Sequence, residues 1–138
     1  MPDRVARRRF LLALGALLAA PVARRAWALV ARRHGPHPTP RPGIDASKVL
    51  GDEHLADWPD ARPAFEAVRQ IPQVADGIRC TCGCADKPGF YSLLSCYEGE
   101  GMALHCPICQ GEARLAFRLH QSGKSLDEIR AAIDARYL

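Results

Sequence analysis

The stretch HCPICQGEARLAFRLHQSGKSLDEIRAAIDARYL, residues 105–138, decides the fold because it predicts two helices in succession. Pro107 suits the first turn of one helix, and Gly123 suits the position just beyond its last turn. Ser125 and Glu128 then form a capping-box pattern, and apolar residues at helical spacing follow it. The connection between the two segments is short, so the helices are expected to be antiparallel.

Another helix is predicted in the segment DWPDARPAFEAVRQIP, residues 57–72. Pro63 is tolerated in a first helical turn, and Phe65, Val68 and Ile71 fall on one face before Pro72 ends the helix. The next residues, QVADGIR, predict a further turn or two of helix, whereas FYSLLSCYEGEG is compatible with a short helix or a strand. No segment shows convincing strand alternation, so we predict a small all-α domain of three or four helices.

Six cysteines fall within a window of thirty residues, from CTCGC to CPIC. We expect them to form one cluster at one end of the helical domain. Three explanations for such a cluster remain open at this point: a metal site, a set of disulfides, or a redox pair with further thiols. The six residues are Cys80, Cys82, Cys84, Cys96, Cys106 and Cys109.

The metal hypothesis follows from how these cysteines are spaced. Gly83 permits a turn that brings C-x-C sulfurs together, and CPIC places two sulfurs at a helix start, where the helix dipole favours thiolates. Thiolate sites suit Cu(I), zinc or iron–sulfur clusters, and more than four sulfurs favour a bridged Cu(I) cluster. Copper(I) is therefore the first prediction. Zinc is the second, with Cys82, Cys84, Cys106 and Cys109 as ligands, and His105 is a possible additional ligand at either site.

Two other functions fit the same cysteines. Six cysteines in an exported domain of about eighty residues are also typical of a disulfide scaffold. Such a domain, stapled by disulfides or by zinc, would meet a protein partner through aromatic residues such as Phe90, Tyr91 and Tyr97. Alternatively, the CPIC sequence resembles the thioredoxin-type C-P-x-C motif and would make Cys106 and Cys109 a thiol oxidoreductase pair. That fold needs a strand before the helix, and the preceding EGEGMALH is a poor strand.

The N-terminus, residues 1–28, predicts an export signal. Arginines precede an apolar run from Phe10 to Ala20 that is too short to span a bilayer. The sequence RRRFL, residues 7–11, resembles a twin-arginine motif, and AWA, residues 26–28, is a plausible cleavage site. The protein is thus expected to be exported, to the periplasm or another extracytoplasmic location, and to be membrane-anchored only if this segment stays uncut.

Residues 29–56 predict a linker, because proline occupies positions 36, 38, 40 and 42 and favours an extended chain. His34 and His37 in this stretch are weak candidate ligands and are expected to be solvated. The helical cysteine-cluster domain is therefore placed at residues 57–138.

Charge and motif patterns exclude several functions. The net charge of +4 comes from the residues before 29, where six arginines and one aspartate give +5, because the remainder has 13 basic and 14 acidic residues and so carries −1. Since its arginines alternate with acids at helical spacing, we expect no nucleic-acid binding. The carboxylates lie singly on helix faces, and no Ser/His/Asp arrangement is present. No catalytic residue is therefore predicted, and the cysteine pair alone leaves enzymatic activity undecided.

The segments CTCGC, SLLSC, CPICQGEARLAF and GKSLDEIRAAIDARY together resemble the bacterial PCYCGC-motif proteins, which are exported and often lipid-anchored. Cys80, Cys82 and Cys84 match the family's C-Y-C-G-C run, and Cys96 matches the cysteine that closes its S-L-L-x-C segment. Cys106 and Cys109 match its later C-x-x-C, and Glu112 and Ala113 its following E-A. The resemblance implies the cysteine set rather than a chemistry, because the family has no firmly established function.

The chain departs from that family at several positions. Arg79 replaces the proline of the motif, Thr81 replaces its tyrosine, and Phe90 and Tyr91 stand where a histidine-containing segment is expected. A twin-arginine-type signal takes the place of the lipid-attachment sequence.

Overall fold

The computed structural model describes residues 35–138, in which Pro36–Leu138 form a compact unit. The predicted all-α class is confirmed for these residues: they contain four α-helices and no strand beyond one isolated bridge between Val49 and Glu98. The helices are α1 (Arg62–Gln70), α2 (Pro72–Asp76), α3 (Pro107–Gln121) and α4 (Leu126–Tyr137). Short 3-10 turns cover Asp52–Leu55, Pro59–Ala61, Cys84–Asp86, Leu94–Tyr97 and Met102–Leu104.

Helix α1 packs against α3, and α3 packs against α4. Phe65 and Val68 of α1 are fully buried, as the sequence pattern predicts, and the chain leaves helical geometry at Ile71 immediately before Pro72. Two buried positions of α3 are small, Ala113 and Ala116, which lets neighbouring parts of the domain approach this helix closely. These contacts hold α3 against α1 and α4, and Cys109 in its first turn is fully buried.

The connection from α3 to α4 has the predicted caps. Gly123 adopts the left-handed conformation with φ of 80°. Its N–H donates to the carbonyl of His120, and the N–H of Lys124 donates to that of Leu119, which is the Schellman pattern. The N–H of Glu128 then donates to the Ser125 hydroxyl, and the N–H of Ser125 donates to the Glu128 carboxylate, completing the capping box. The chain therefore reverses direction within four residues, 122–125.

Replacing Ser125 by alanine is expected to lower the free energy of unfolding by about 1 kcal/mol, because the N–H of Glu128 loses its acceptor. Urea unfolding of the metal-free protein measures the change. The control is Ser122→Ala, which removes only an exposed bond to the Leu119 carbonyl and should cost less than about 0.5 kcal/mol. Equal losses in the two variants would contradict a capping role.

The segment that was compatible with helix or strand forms a 3-10 turn, Leu94–Tyr97, and then contributes Glu98 to the isolated bridge. Leu93, Leu94, Cys96 and Tyr97 are all fully buried. The ring of Tyr97 meets that of Phe65 edge-on at 4.7 Å between centroids. Because this turn is held in the core, Cys96 is fixed relative to α1 and α3.

Residues 36–56 of the Pro-rich stretch are packed in the folded unit, whereas the sequence predicts a linker there. From Pro36 onward it lies on the helical unit, and Val49 and Leu55 enter the core. Its backbone carbonyls are used as acceptors: Arg130 donates to Pro38 at 2.7 Å and Tyr91 donates to Thr39 at 2.7 Å. Proline leaves no N–H to pair in a sheet, but it leaves carbonyls free, and side chains of the domain bind them.

A buried carboxylate fixes this segment most strongly. Asp76, fully buried at the end of α2, accepts from the Arg41 guanidinium at 2.6 Å, from the Arg41 backbone N–H at 2.8 Å and from the Ser92 hydroxyl at 2.8 Å. Burial by itself would raise the pKa of Asp76, but these donors hold it below its ordinary value of 3.8. Arg41 also stacks over the ring of Tyr91 at 4.5 Å. Residues 36–56 are thus part of the folded unit in the structure.

Candidate metal centre

Three parts of the chain bring the six cysteines together. The loop CTCGC supplies Cys80, Cys82 and Cys84 and turns at Gly83, which has φ of 89°. The buried turn Leu94–Tyr97 supplies Cys96. The start of α3 supplies Cys106 and Cys109. The predicted cluster of the cysteines is therefore confirmed, and it joins segments that are far apart in sequence.

The sulfurs form two overlapping groups of three. The inner triad is Cys80, Cys96 and Cys109, all buried, and the outer triad is Cys82, Cys84 and Cys109. Within each triad all sulfurs lie within 4.8 Å of one another. Cys109, which is fully buried, belongs to both triads. The arrangement offers two adjoining three-sulfur sites with one shared ligand.

The distances between sulfurs exclude bonds between them in this structure. The Sγ atoms of Cys82 and Cys84 lie 3.0 Å apart, and those of Cys80 and Cys82 lie 3.2 Å apart, whereas a disulfide measures about 2.05 Å. Cys109 Sγ lies 3.4 Å from that of Cys80 and 3.5 Å from that of Cys82. Four sulfurs around one zinc ion would lie about 3.8 Å apart. All six thiols are free, and their spacing is close to what a shared ion requires.

Cys106 is close to the cluster but belongs to neither triad. It is the N-cap of α3, where its sulfur accepts the backbone N–H of Cys109 at 3.4 Å. Its side chain is half-buried, as is that of Cys82, whereas the other four cysteines are buried. Cys82 and Cys106 are consequently the sulfurs that solvent or a partner can reach. Metal binding by the full predicted set of six remains a prediction.

The thiols act on one another electrostatically. Hydrogen bonds from Cys109, Cys80 and Cys96 hold the pKa of the Cys82 thiol well below its ordinary value. Burial, the hydrogen bond to Cys82 and electrostatic repulsion from the neighbouring sulfurs raise the pKa of Cys84 to about 12. The pKa of Cys109 is raised as well, by its hydrogen bonds to Cys80 and Cys82 first. The clustered thiols therefore resist ionising together, and a bound cation would allow more of them to ionise.

Neither of the two predicted histidines that the structure describes, His105 and His37, joins either group of sulfurs. His105 is exposed, and its ring packs nearly perpendicular to that of Trp58, with 4.1 Å between the ring centroids. His37 is not solvated as expected: its Nδ1 accepts the N–H of Arg79 at 2.9 Å, and its Nε2 lies 3.1 Å from a carboxylate oxygen of Asp134. His37 thereby fixes the residue that precedes Cys80. His34 lies outside the described residues.

Two residues of the centre were not predicted as part of it. Glu112 is fully buried on α3, three residues after Cys109, and its Oε1 accepts the backbone N–H of Thr81 at 3.0 Å and the Thr81 hydroxyl. Thr81 lies between the first two cysteines of the loop. The spacing of three residues from Cys109 was the available signal, because it places both side chains on one helix face. Together Glu112 and Thr81 hold the CTCGC loop against α3.

Comparison with known proteins does not assign the chain to a group. No family model matches it, and no significant match is found among the curated proteins or the solved structures. Among residues 35–138, no helix has the length and apolar character that crossing a membrane requires. The chemistry of the site therefore carries the functional argument.

Proposed function

We propose that this protein binds Cu(I) through its thiolate cluster, for the handling or storage of copper outside the cytoplasm. The observation that carries the proposal is the position of Cys109, whose sulfur belongs to two adjoining triads. A sulfur shared in this way suits a bridged cluster better than a single tetrahedral ion.

Ligand softness supports copper. The triads contain only sulfur, and soft thiolates are the ligands that Cu(I) prefers. Cu(I) also accepts low coordination numbers, so three sulfurs are sufficient for an ion in each triad. Zinc is the second candidate metal, because it binds thiolates tetrahedrally and would need a ligand from outside one triad.

Burial supports handling or storage rather than catalysis. Four of the six sulfurs are buried, which protects bound Cu(I) from water and oxidants. The half-buried Cys82 and Cys106 offer a rim at which copper passes to or from a partner, such as an extracytoplasmic or membrane protein. The N-terminal twin-arginine-type signal supports export of the folded protein, and it lies outside the described residues.

Anaerobic titration of the reduced full chain with Cu(I), in competition with a colorimetric chelator, tests the proposal. We expect more than one tightly bound copper per chain and displacement of zinc added beforehand. A protein that retains one zinc ion and resists Cu(I) would instead be the zinc-stabilised domain. Reduction of insulin, lost in Cys106→Ser, would favour the oxidoreductase.

A further inference from the structure

One thiol of the centre combines access to solvent with close sulfur neighbours. Cys82 is half-buried, whereas Cys80, Cys84 and Cys109 are buried. The Sγ of Cys82 lies 3.0 Å from that of Cys84, 3.2 Å from that of Cys80 and 3.5 Å from that of Cys109. A reagent in solution can therefore reach Cys82, and a group attached to its sulfur has further thiols beside it that can displace that group.

Cys106, the other half-buried thiol, lacks this combination. None of the sulfur–sulfur hydrogen bonds among residues 35–138 involves it. Its sulfur instead accepts the backbone N–H of Cys109 at the start of α3. Cys82 is consequently the accessible thiol whose sulfur neighbours are in place for a bond.

The nearest of those neighbours, Cys84, lies on the more adjustable side of the loop. Gly83 separates the two cysteines in a left-handed turn with φ of 89°, and no heavy atom outside its chain neighbours lies within 4 Å of the place where a Cβ would stand. A disulfide needs its sulfurs about 2.05 Å apart, so closing the present 3.0 Å requires a shift of about 1 Å. Glycine tolerates such a change of backbone angles better than any other residue.

The opposite side of Cys82 is held in place. Thr81 separates Cys82 from Cys80, and its backbone N–H and hydroxyl both donate to the buried carboxylate of Glu112. Cys109 lies in the first turn of α3, where the helix fixes its backbone. A bond from Cys82 to either of these sulfurs would pull on a fixed partner, so the geometry favours Cys84.

We propose that Cys82 and Cys84 form a reversible disulfide by exchange with an external disulfide, and that this bridge switches off the outer triad. The inference rests on the proposed function, because it assigns a regulation to the copper centre. The Cys82 thiolate attacks one sulfur of the external disulfide and releases a first thiolate. The Cys84 thiolate then attacks the Cys82 sulfur and releases the second. The released thiolates take up the two protons that the cysteines lost, so two cysteine thiols are oxidised while one external disulfide is reduced to two thiols.

The bridge would affect the two triads differently. It removes two of the three sulfurs of the outer triad, whereas the inner triad of Cys80, Cys96 and Cys109 keeps all of its ligands. A bridge across one residue also closes a small, strained ring, and strained disulfides are the ones that thiols reduce readily. The centre would therefore hold less copper in a disulfide-rich environment and recover its capacity when thiols return.

Mapping of the bridge in the metal-free, reduced full chain tests the pairing. The chain is incubated anaerobically with glutathione disulfide and quenched with acid. The remaining thiols are alkylated in denaturant, and the protein is cleaved after Arg79 and before Asp86, which releases the fragment CTCGCA, residues 80–85. We expect one alkyl group, on Cys80, and a disulfide between the other two cysteines. Three alkylated cysteines, a lasting glutathione on Cys82, or a bond from Cys82 to Cys80 or Cys109 would overturn the proposal.

Two single variants of the loop separate the candidate partners. Cys84→Ser removes the proposed second thiol and should form any bridge at Cys82 at least about tenfold more slowly. The matched control is Cys80→Ser, which removes the other C-x-C neighbour and should form the bridge as fast as the unaltered protein. Equal rates in the two variants would contradict the assignment of Cys84.

Copper loading measures the consequence of the bridge. Under the same chelator competition, the bridged chain should bind about one Cu(I) ion fewer than the reduced chain, and treatment with excess thiol, removed before loading, should abolish the difference. Equal copper binding by the bridged and reduced chains would overturn the switch while leaving the proposed function intact. A reduced chain that binds no copper would overturn the proposed function, whereas the pairing is decided in the metal-free protein alone.

Discussion

Replacing Cys109 by serine is expected to lower the Cu(I) affinity of the centre by more than about 100-fold. This loss exceeds the one that usually follows when a residue hydrogen-bonded to a metal ligand is replaced. The reason is geometric: Cys109 is the sulfur common to both triads, so its loss leaves two ligands at each site. Chelator competition with the reduced, copper-loaded protein measures the affinity and the number of ions bound.

Cys106→Ser is the matched control, because it lies in the same CPIC sequence but in neither triad. Serine also caps a helix well, so α3 should keep its start. We expect the Cu(I) affinity to fall by less than about tenfold, which is less than the loss that usually follows when a residue hydrogen-bonded to a metal ligand is replaced. A larger loss in Cys106→Ser than in Cys109→Ser would contradict the shared-ligand arrangement.

The second large effect is expected at Arg41. Its replacement by alanine leaves the fully buried Asp76 with the Ser92 hydroxyl and one backbone N–H, without a cationic partner. Breaking a buried ion pair typically costs 3–5 kcal/mol, and the partial exposure of Arg41 points to the lower end. We therefore expect the free energy of unfolding of the metal-free protein to fall by about 3 kcal/mol at neutral pH, as measured by urea unfolding.

The pH dependence identifies Asp76 as the cause. Since the native pKa of Asp76 lies below its ordinary 3.8, its stabilising contribution is present above that pH and is lost as the pH falls through the native pKa. The difference between the Arg41→Ala variant and the unaltered protein should therefore be largest at neutral pH and shrink below about pH 4. The control, Lys124→Ala, breaks an exposed pair with Glu128 and should cost under about 1 kcal/mol. A pH-independent loss in Arg41→Ala would contradict this account.

The helices were predictable because their signals are local. Pro63, Pro72 and Pro107 act through the backbone of their own turns, and Ser125 with Glu128 satisfies donors within three residues. The packing of residues 36–56 was not predictable in this way. It depends on Arg41 meeting Asp76 across 35 residues and on Arg130 meeting Pro38 across 92, and the prolines of this stretch predict an extended chain whether or not it is packed.

The cysteines of the site were predictable because their density and spacing have few explanations. Their division into two triads was not, since it depends on how the turn Leu94–Tyr97 places Cys96 beside Cys80. The roles of His37 and Glu112 depend on long-range contacts, to Arg79 and to Thr81. His105 shows the reverse case: it adjoins Cys106 in sequence, yet it packs against Trp58.

Copper binding by the thiolates of the six-cysteine cluster is tested most directly by loading the reduced full chain with Cu(I) under anaerobic conditions, removing unbound metal, and measuring copper and free thiols on the same sample. We predict more than one copper per chain, and six reactive thiols once the metal is removed. A chain that retains no copper and has no free thiols would contradict the claim and identify the cysteines as disulfides.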